Sequence, residues 1–115
     1  MARKRVGILV FPEVEVLDFC GPFEVFSVTR VDEARRRDEL SPFEVFLVGE
    51  SLDAITATGG MRVLPTFDLE SCPALDVLVV PGGWGTRALV TDESVVEWIG
   101  RQAAHAELTA SVCTG

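Results

Sequence analysis

Metal-binding and disulfide-forming residues are scarce in this sequence. It has three cysteines and one histidine among 115 residues. Cys20, Cys72 and Cys113 are an odd number, lie far apart and form no C-x-x-C pair, which argues against a disulfide framework or a zinc site. His105 alone cannot complete a metal site with them. We therefore expect reduced thiols, no metal and no cofactor.

Long apolar runs and a basic face are also missing. No apolar stretch approaches the roughly 20 residues that span a bilayer, and the first one is broken at Pro12. The net charge of −8 disfavours nucleic acid and anionic membranes as partners of this segment, because both attract a basic surface. The short run 35–37 of arginines indicates a solvated helix end rather than a phosphate site. These features predict a cytoplasmic protein.

Apolar strands alternate with amphipathic helices along the chain, with no repeat or linker between them. The pattern predicts one domain over residues 1–115, a flavodoxin-like, doubly wound and mostly parallel α/β sheet with helices on both faces. Its predicted strands are 6–11, 43–49, 76–80 and 108–112. The first predicted helix covers about residues 17–37, and the helix proper begins near Pro22. A single helical turn is predicted at 68–72. The last predicted helix covers 92–106, with an inward stripe of Val95, Val96, Trp98, Ile99 and Ala103. A small hairpin with a Gly59-Gly60 turn is predicted over 55–64. In the first helix, Val25, Phe26, Val28 and Val31 are the predicted core contacts.

Three loops should meet at one edge of such a sheet. Ligands of doubly wound folds bind beyond the carboxyl ends of the strands. The loops that follow strands there are residues 11–21, 81–86 and 113–115. Residues that carry chemistry are therefore expected in these segments.

Cys113 is the first candidate, in the pattern Ser111-Val112-Cys113-Thr114-Gly115. Small residues around a central nucleophile are typical of a sharp strand-to-helix turn that exposes the side chain. Donors at a following helix start would stabilise its thiolate. A buried, inert thiol is the alternative, and we assign that role to Cys72.

Asp18 is the second candidate, and Gly82-Gly83 the third. Asp18 could simply cap the helix that follows, since aspartate is a favoured N-cap residue. Alternatively its carboxyl faces the thiol and shares one proton with it. Gly82-Gly83 could be a plain turn, or could bring backbone N–H groups to developing negative charge.

The sequence resembles the ThiJ/PfpI superfamily, of the class I glutamine amidotransferase-like fold, over essentially its whole length. The resemblance rests on the segment 11–26 with its L-D-x-x-G-P pattern, on Val79-Val80-Pro81-Gly82-Gly83, and on Ala110-Ser111-Val112-Cys113-Thr114-Gly115. The subgroup most similar is the isonitrile hydratase-like proteins. By this resemblance Cys113 matches the nucleophile, Asp18 its acidic partner and Gly83 the oxyanion-side glycine. Thr114 lines the site, and His105 matches no functional position.

Members of this superfamily continue beyond the turn that carries the nucleophile, with further strands, helices and a histidine. The resemblance therefore implies an N-terminal portion only, either a fragment or a truncated product. A homodimer or a complementing polypeptide would then cover the exposed sheet edge.

Three functions remain open from the sequence. The first is a cysteine-dependent enzyme acting on a small molecule, most similar to isonitrile hydratase, with amidase, glyoxalase or deglycase chemistry using the same residues. The second is a ligand-sensing domain of a bacterial helix-turn-helix regulator. The third is an inactive truncated product.

Overall fold

Seven strands form two sheets in the computed structural model, which describes residues 2–115. The strands are β1 Lys4–Leu9, β2 Phe43–Gly49, β3 Ile55–Thr56, β4 Arg62–Val63, β5 Phe67–Asp68, β6 Val77–Val80 and β7 Leu108–Ser111. The larger sheet has the order β5-β2-β1-β6-β7, and every pairing in it is parallel. β3 and β4 pair antiparallel as a separate hairpin. The predicted α/β fold is confirmed.

The centre of the large sheet is apolar on both faces. In β1, Val6 and Ile8 are fully buried and lie in register with Val77 and Val79 of β6. A strand covered on both faces needs apolar residues at consecutive positions, which explains the unbroken run at the start of the chain. β7 lies at the edge and is more exposed.

Two long helices connect the parallel strands. They are α1 Val16–Val28 and α3 Glu93–His105, and a single-turn helix, α2, spans Thr86–Leu89. α3 begins where the sequence predicts, because the Asp92 carboxylate accepts a hydrogen bond from the Val95 N–H at 3.4 Å. The connections β1 to β2 and β6 to β7 run in opposite directions, so right-handed crossovers place α1 and α3 on opposite faces.

The helical pattern from about residue 17 agrees with the observed start of α1, but the predicted start of the helix proper near Pro22 and its predicted end near residue 37 are wrong. The helix begins at Val16 and contains Pro22, although proline there removes one backbone hydrogen bond. Phe19 is buried in the core before the proline, and Phe26 packs against the core after it. This packing carries the helix through Pro22.

The helix ends at Val28 because side chains satisfy its last carbonyls. The Thr29 hydroxyl donates to the Val25 oxygen at 2.6 Å, and Arg30 donates to the Ser27 oxygen at 3.0 Å. Only a short 3-10 turn, Glu33–Arg35, follows, and Arg36 pairs with Glu33 on the surface.

Several predicted core positions are exposed. Of the α1 set, only Phe26 packs inward, whereas Val25, Val28 and Val31 face solvent. The early end of α1 leaves Val31 outside any helix. In α3, Val95 and Trp98 are buried while Val96 is exposed.

The predicted turn at 68–72 follows an unpredicted strand. Residues Phe67–Asp68 form β5, which pairs with Val48 and Gly49. A turn comes next, in which the Cys72 N–H donates to the Asp68 oxygen at 3.1 Å. Across residues 2–115, no helix has the length and apolar character needed to cross a membrane.

Candidate active site

The loops after β1, β6 and β7 meet at one edge of the sheet. The Glu15 N–H donates to the Gly82 oxygen at 2.9 Å, joining the first loop to the second. The Val112 N–H donates to the Val80 oxygen at 3.0 Å, joining the third loop to the second. The connection from β1 leads to one side of the sheet and the connection from β6 to the other. The point between these two strands is the usual ligand-binding position in such folds.

Cys113 lies at the apex of a tight turn after β7. Its φ is +56°, in the left-handed region that residues with a side chain rarely adopt. The turn closes with the Gly115 N–H donating to the Val112 oxygen at 3.0 Å. The Cys113 side chain is exposed, as an attacking thiol requires.

Asp18 is held in the first turn of α1 and does not cap it. The N-cap residue is Glu15, which makes no side-chain capping bond, so the capping interpretation of Asp18 is wrong. One carboxylate oxygen of Asp18 instead accepts a hydrogen bond from the Gly82 N–H at 3.1 Å. The side chain is thus directed at the loop after β6.

Gly82 lies between Asp18 and the cysteine turn. A Cβ added at Gly82 would lie 2.6 Å from the Thr114 nitrogen and 3.0 Å from the Cys113 Cβ. Only glycine permits this approach. Asp18 therefore contacts one side of Gly82 while Cys113 packs on another.

Gly83 and the hydroxyl of Thr114 form a second link. The Gly83 N–H donates to Thr114 Oγ1 at 3.1 Å, and Gly83 has a φ of +119°. The Thr86 hydroxyl donates to the Gly83 oxygen at 2.9 Å and lies 3.5 Å from Thr114 Oγ1. Thr114 is thereby held with its hydroxyl beside Cys113.

The remaining thiols and the histidine lie in other surroundings. Burial raises the pKa of the Cys72 thiol from its ordinary 9.0 to about 11, against a smaller opposing effect of Arg5. Cys20 packs against the core from α1, and His105 is an exposed residue at the end of α3. In the described residues, no group of three or more His, Cys, Asp or Glu is arranged to hold a metal ion.

A pocket of about 300 Å³ opens beside the thiol. Its walls combine predicted residues with others that the sequence did not indicate: Glu15, Gly83, Trp84, Thr86, Arg87, Cys113 and Thr114. Trp84 was the detectable signal, since a large aromatic residue between two glycines is unusual for a plain turn. Asp18 reaches the site through Gly82 and does not line this pocket.

The sequence profile of the DJ-1/PfpI family matches residues 4–115. The chain belongs to the DJ-1/PfpI family. An isonitrile hydratase of Pseudomonas putida is 39% identical over 111 residues, which are 96% of this chain and 44% of that protein. An uncharacterised protein of Streptomyces lividans is 32% identical over 96% of this chain and 74% of its own length.

Solved structures of this family share the fold. A ThiJ/PfpI family protein of Pseudomonas syringae superposes with a TM-score of 0.82 at 30% identity, over 98% of this chain and 43% of that one. DJ-1beta of Drosophila melanogaster superposes with a TM-score of 0.76 at 22% identity, over 97% and 56% of the two chains. The chain thus spans less than half the length of the isonitrile hydratase that it resembles.

Proposed function

We propose that this chain provides the cysteine site of a small-molecule enzyme that hydrates isonitriles to N-substituted formamides. One observation carries the proposal: Gly82 brings the Asp18 carboxyl and the Cys113 turn together, by a hydrogen bond to the first and a close packing contact with the second. The 39% identity to an isonitrile hydratase supports this choice of substrate class.

In the first step the Cys113 thiolate attacks the terminal isonitrile carbon. A new C–S bond forms, and Asp18, which does not line the pocket, delivers a proton to the same carbon through one water molecule, leaving a thioimidate and the Asp18 carboxylate. The Gly82 N–H stabilises that carboxylate, because a hydrogen bond to a charged oxygen is stronger than one to a neutral oxygen.

In the second step water adds to the thioimidate carbon. Asp18 takes one proton from the water and passes it to the nitrogen. Collapse of the tetrahedral adduct breaks the C–S bond, releases the formamide and returns the hydroxyl proton to Asp18. Thr114 Oγ1, which accepts from the Gly83 N–H, keeps its own proton available for the adduct.

The main test is turnover of an alkyl isonitrile by the purified protein, followed as formamide release. Cys113→Ser should lower turnover by about 10³-fold or more, because the hydroxyl is a far weaker nucleophile. Cys20→Ser is the matched control and should retain most activity, since Cys20 packs against the core from α1. Full turnover by Cys113→Ser would overturn the proposed mechanism.

Asp18→Asn separates proton transfer from structure. The amide oxygen can still accept the Gly82 N–H bond, so the loop geometry is retained. We expect turnover to fall about 100-fold while alkylation of Cys113 by iodoacetamide continues. A wild-type protein that is alkylated at Cys113 but turns over no isonitrile would favour a ligand-sensing role.

A further inference from the structure

Trp84 and Arg87 form one wall of the pocket, and the proposed chemistry assigns no role to either residue. Both line it together with Cys113 and Thr114. The Arg87 guanidinium lies 4.4 Å from the centroid of the Trp84 ring, within the range of a cation–π contact. Trp84 lies two residues before α2 and Arg87 lies within it, and the turn joins them because the Arg87 N–H donates to the Trp84 oxygen at 3.3 Å.

The backbone beneath Trp84 is tightly held. A Cβ added at Gly83 would lie 2.6 Å from both the Glu13 oxygen and the Glu15 nitrogen, and one added at Gly85 would lie still closer to the Pro12 oxygen of the first loop. The Gly85 N–H also donates to the Glu13 oxygen at 3.3 Å. The indole therefore extends from a fixed turn, while Arg87 restrains the ring itself.

This restrained ring is largely uncovered. Trp84 is 63% exposed, whereas the chain's other tryptophan, Trp98, is 2% exposed. An aromatic side chain offers a large apolar area and few rotatable bonds, so it can cover a ligand at little cost in conformational entropy. Its position beside the thiol makes a bound substrate its natural partner.

The charges around Arg87 argue against an anionic substrate. Glu15 lines the same pocket, and a neighbouring groove that Trp84 and Arg87 also border contains Glu13, Glu50 and Asp92. These carboxylates offset the Arg87 charge and disfavour a further anion. A neutral, flat group meets no such penalty.

We propose that Trp84 is a specificity-determining residue that selects substrates with an aromatic substituent, and that Arg87 is a positioning residue that holds the indole. This inference rests on the proposed function for the reaction, but the preference itself concerns only what binds beside Cys113. The aromatic ring stacks on Trp84 and places the reacting carbon at the thiol.

The first test needs no isonitrile turnover. Cys113 is alkylated with iodoacetamide and with its N-phenyl derivative, two reagents in which the thiolate displaces iodide to form the same C–S bond. In the wild type we expect the phenyl reagent to be favoured about 5-fold over the ratio that free cysteine shows. Trp84→Ala should return the ratio to that of free cysteine while the iodoacetamide rate stays within about twofold. Trp84→Phe should retain part of the preference.

Arg87 is tested by the same ratio, and Trp84 also by steady-state kinetics. Arg87→Ala should lower the phenyl preference about twofold, and Arg87→Lys should restore it in part, because lysine also makes cation–π contacts. With phenyl and methyl isonitriles, Trp84→Ala should lower kcat/KM for the phenyl substrate more than for the methyl substrate.

The two proposals fail in different ways. If the protein shows no isonitrile turnover but still prefers the phenyl reagent, the proposed reaction is refuted and the aromatic preference is supported. A wild-type ratio equal to that of free cysteine, or an unchanged ratio in Trp84→Ala, would overturn the role of Trp84 even if hydration were observed.

Discussion

Two glycine turns in this molecule have similar backbones and different surroundings. The hairpin turn, residues 57–61, contains Gly59 and Gly60 with φ of +85° and +94°, and the site turn, residues 81–85, contains Gly83 with φ of +119°. A Cβ added at Gly59 or Gly60 would meet no atom within 4 Å, but at Gly83 it would meet the backbone of residues 13–15. Glycine thus supplies only a conformation in one turn, and both conformation and space in the other.

The first loop lies between these two turns and depends on both. On the hairpin side the Glu13 N–H donates to the Thr56 oxygen at 2.9 Å, and the Thr58 N–H donates to the Val14 oxygen at 3.0 Å. On the site side, the Glu15 N–H bonds to Gly82. Glu13 itself has a φ of +62°, a conformation that these contacts must hold. The hairpin is therefore a support for the site as well as a peripheral element.

Among substitutions that test this comparison, Gly83→Ala should have the largest effect on stability and turnover. The added methyl group combines a disfavoured φ with contacts of 2.6 Å to the backbone of Glu13 and Glu15. We expect about 3 kcal/mol of destabilisation and at least about a 100-fold loss of turnover. Urea unfolding and formamide release measure the two effects. A variant with wild-type stability would show that the site turn moves more freely than the structure indicates.

The thiols give the next largest contrast. Because burial raises the pKa of Cys72 to about 11, its thiolate fraction at pH 8 should be about 100-fold below that of an ordinary thiol. Its alkylation rate should rise about tenfold for each pH unit up to about pH 11. Mass spectrometry after a pH series of iodoacetamide treatment gives the rates.

Unfolding in urea is the control for the thiol prediction. It should bring the Cys72 rate up to the ordinary value, because the burial that opposes ionisation is then lost. Rapid labelling of Cys72 in the folded protein at pH 8 would contradict its assignment as a buried structural thiol.

Gly59→Ala should have a smaller effect than Gly83→Ala. It incurs the cost of a positive φ, about 1 kcal/mol, with no steric clash. Because the hairpin supports the first loop, we expect turnover to fall about twofold at most. Equal destabilisation by the two variants would mean that the close packing at Gly83 contributes nothing to the difference between the turns.

The sequence predicted the parts of the fold that depend on continuous local signals. The apolar runs of β1 and β2, and Asp92 at the start of α3, each carry their own information. The continuity of α1 through Pro22 does not, because Pro22 favours a helix start there and the packing of Phe19 and Phe26 overrides it. β5 has two residues, too few for any periodicity.

The candidate site divides in the same way. Cys113, Asp18 and Gly82-Gly83 could be selected because each follows a strand whose carboxyl end lies at the same edge. Thr86 and Arg87 could not, because they lie in α2, which is formed by one turn of chain whose position depends on the first loop. The charge and stacking of Arg87 became visible only with the structure.

Gly100→Ala sets the baseline for the comparison and should have the smallest effect, of opposite sign. Gly100 lies exposed in the interior of α3 with an ordinary backbone, and an added Cβ would meet nothing within 4 Å. Alanine loses less conformational entropy than glycine on entering a helix, so stability should rise by about 0.5–1 kcal/mol with turnover unchanged. Thermal unfolding of Gly100→Ala beside Gly59→Ala and Gly83→Ala then separates backbone entropy, positive φ and steric exclusion. A fall in stability at Gly100 would show that α3 makes a close contact on this face, and the other two values would need that correction before the turns are compared.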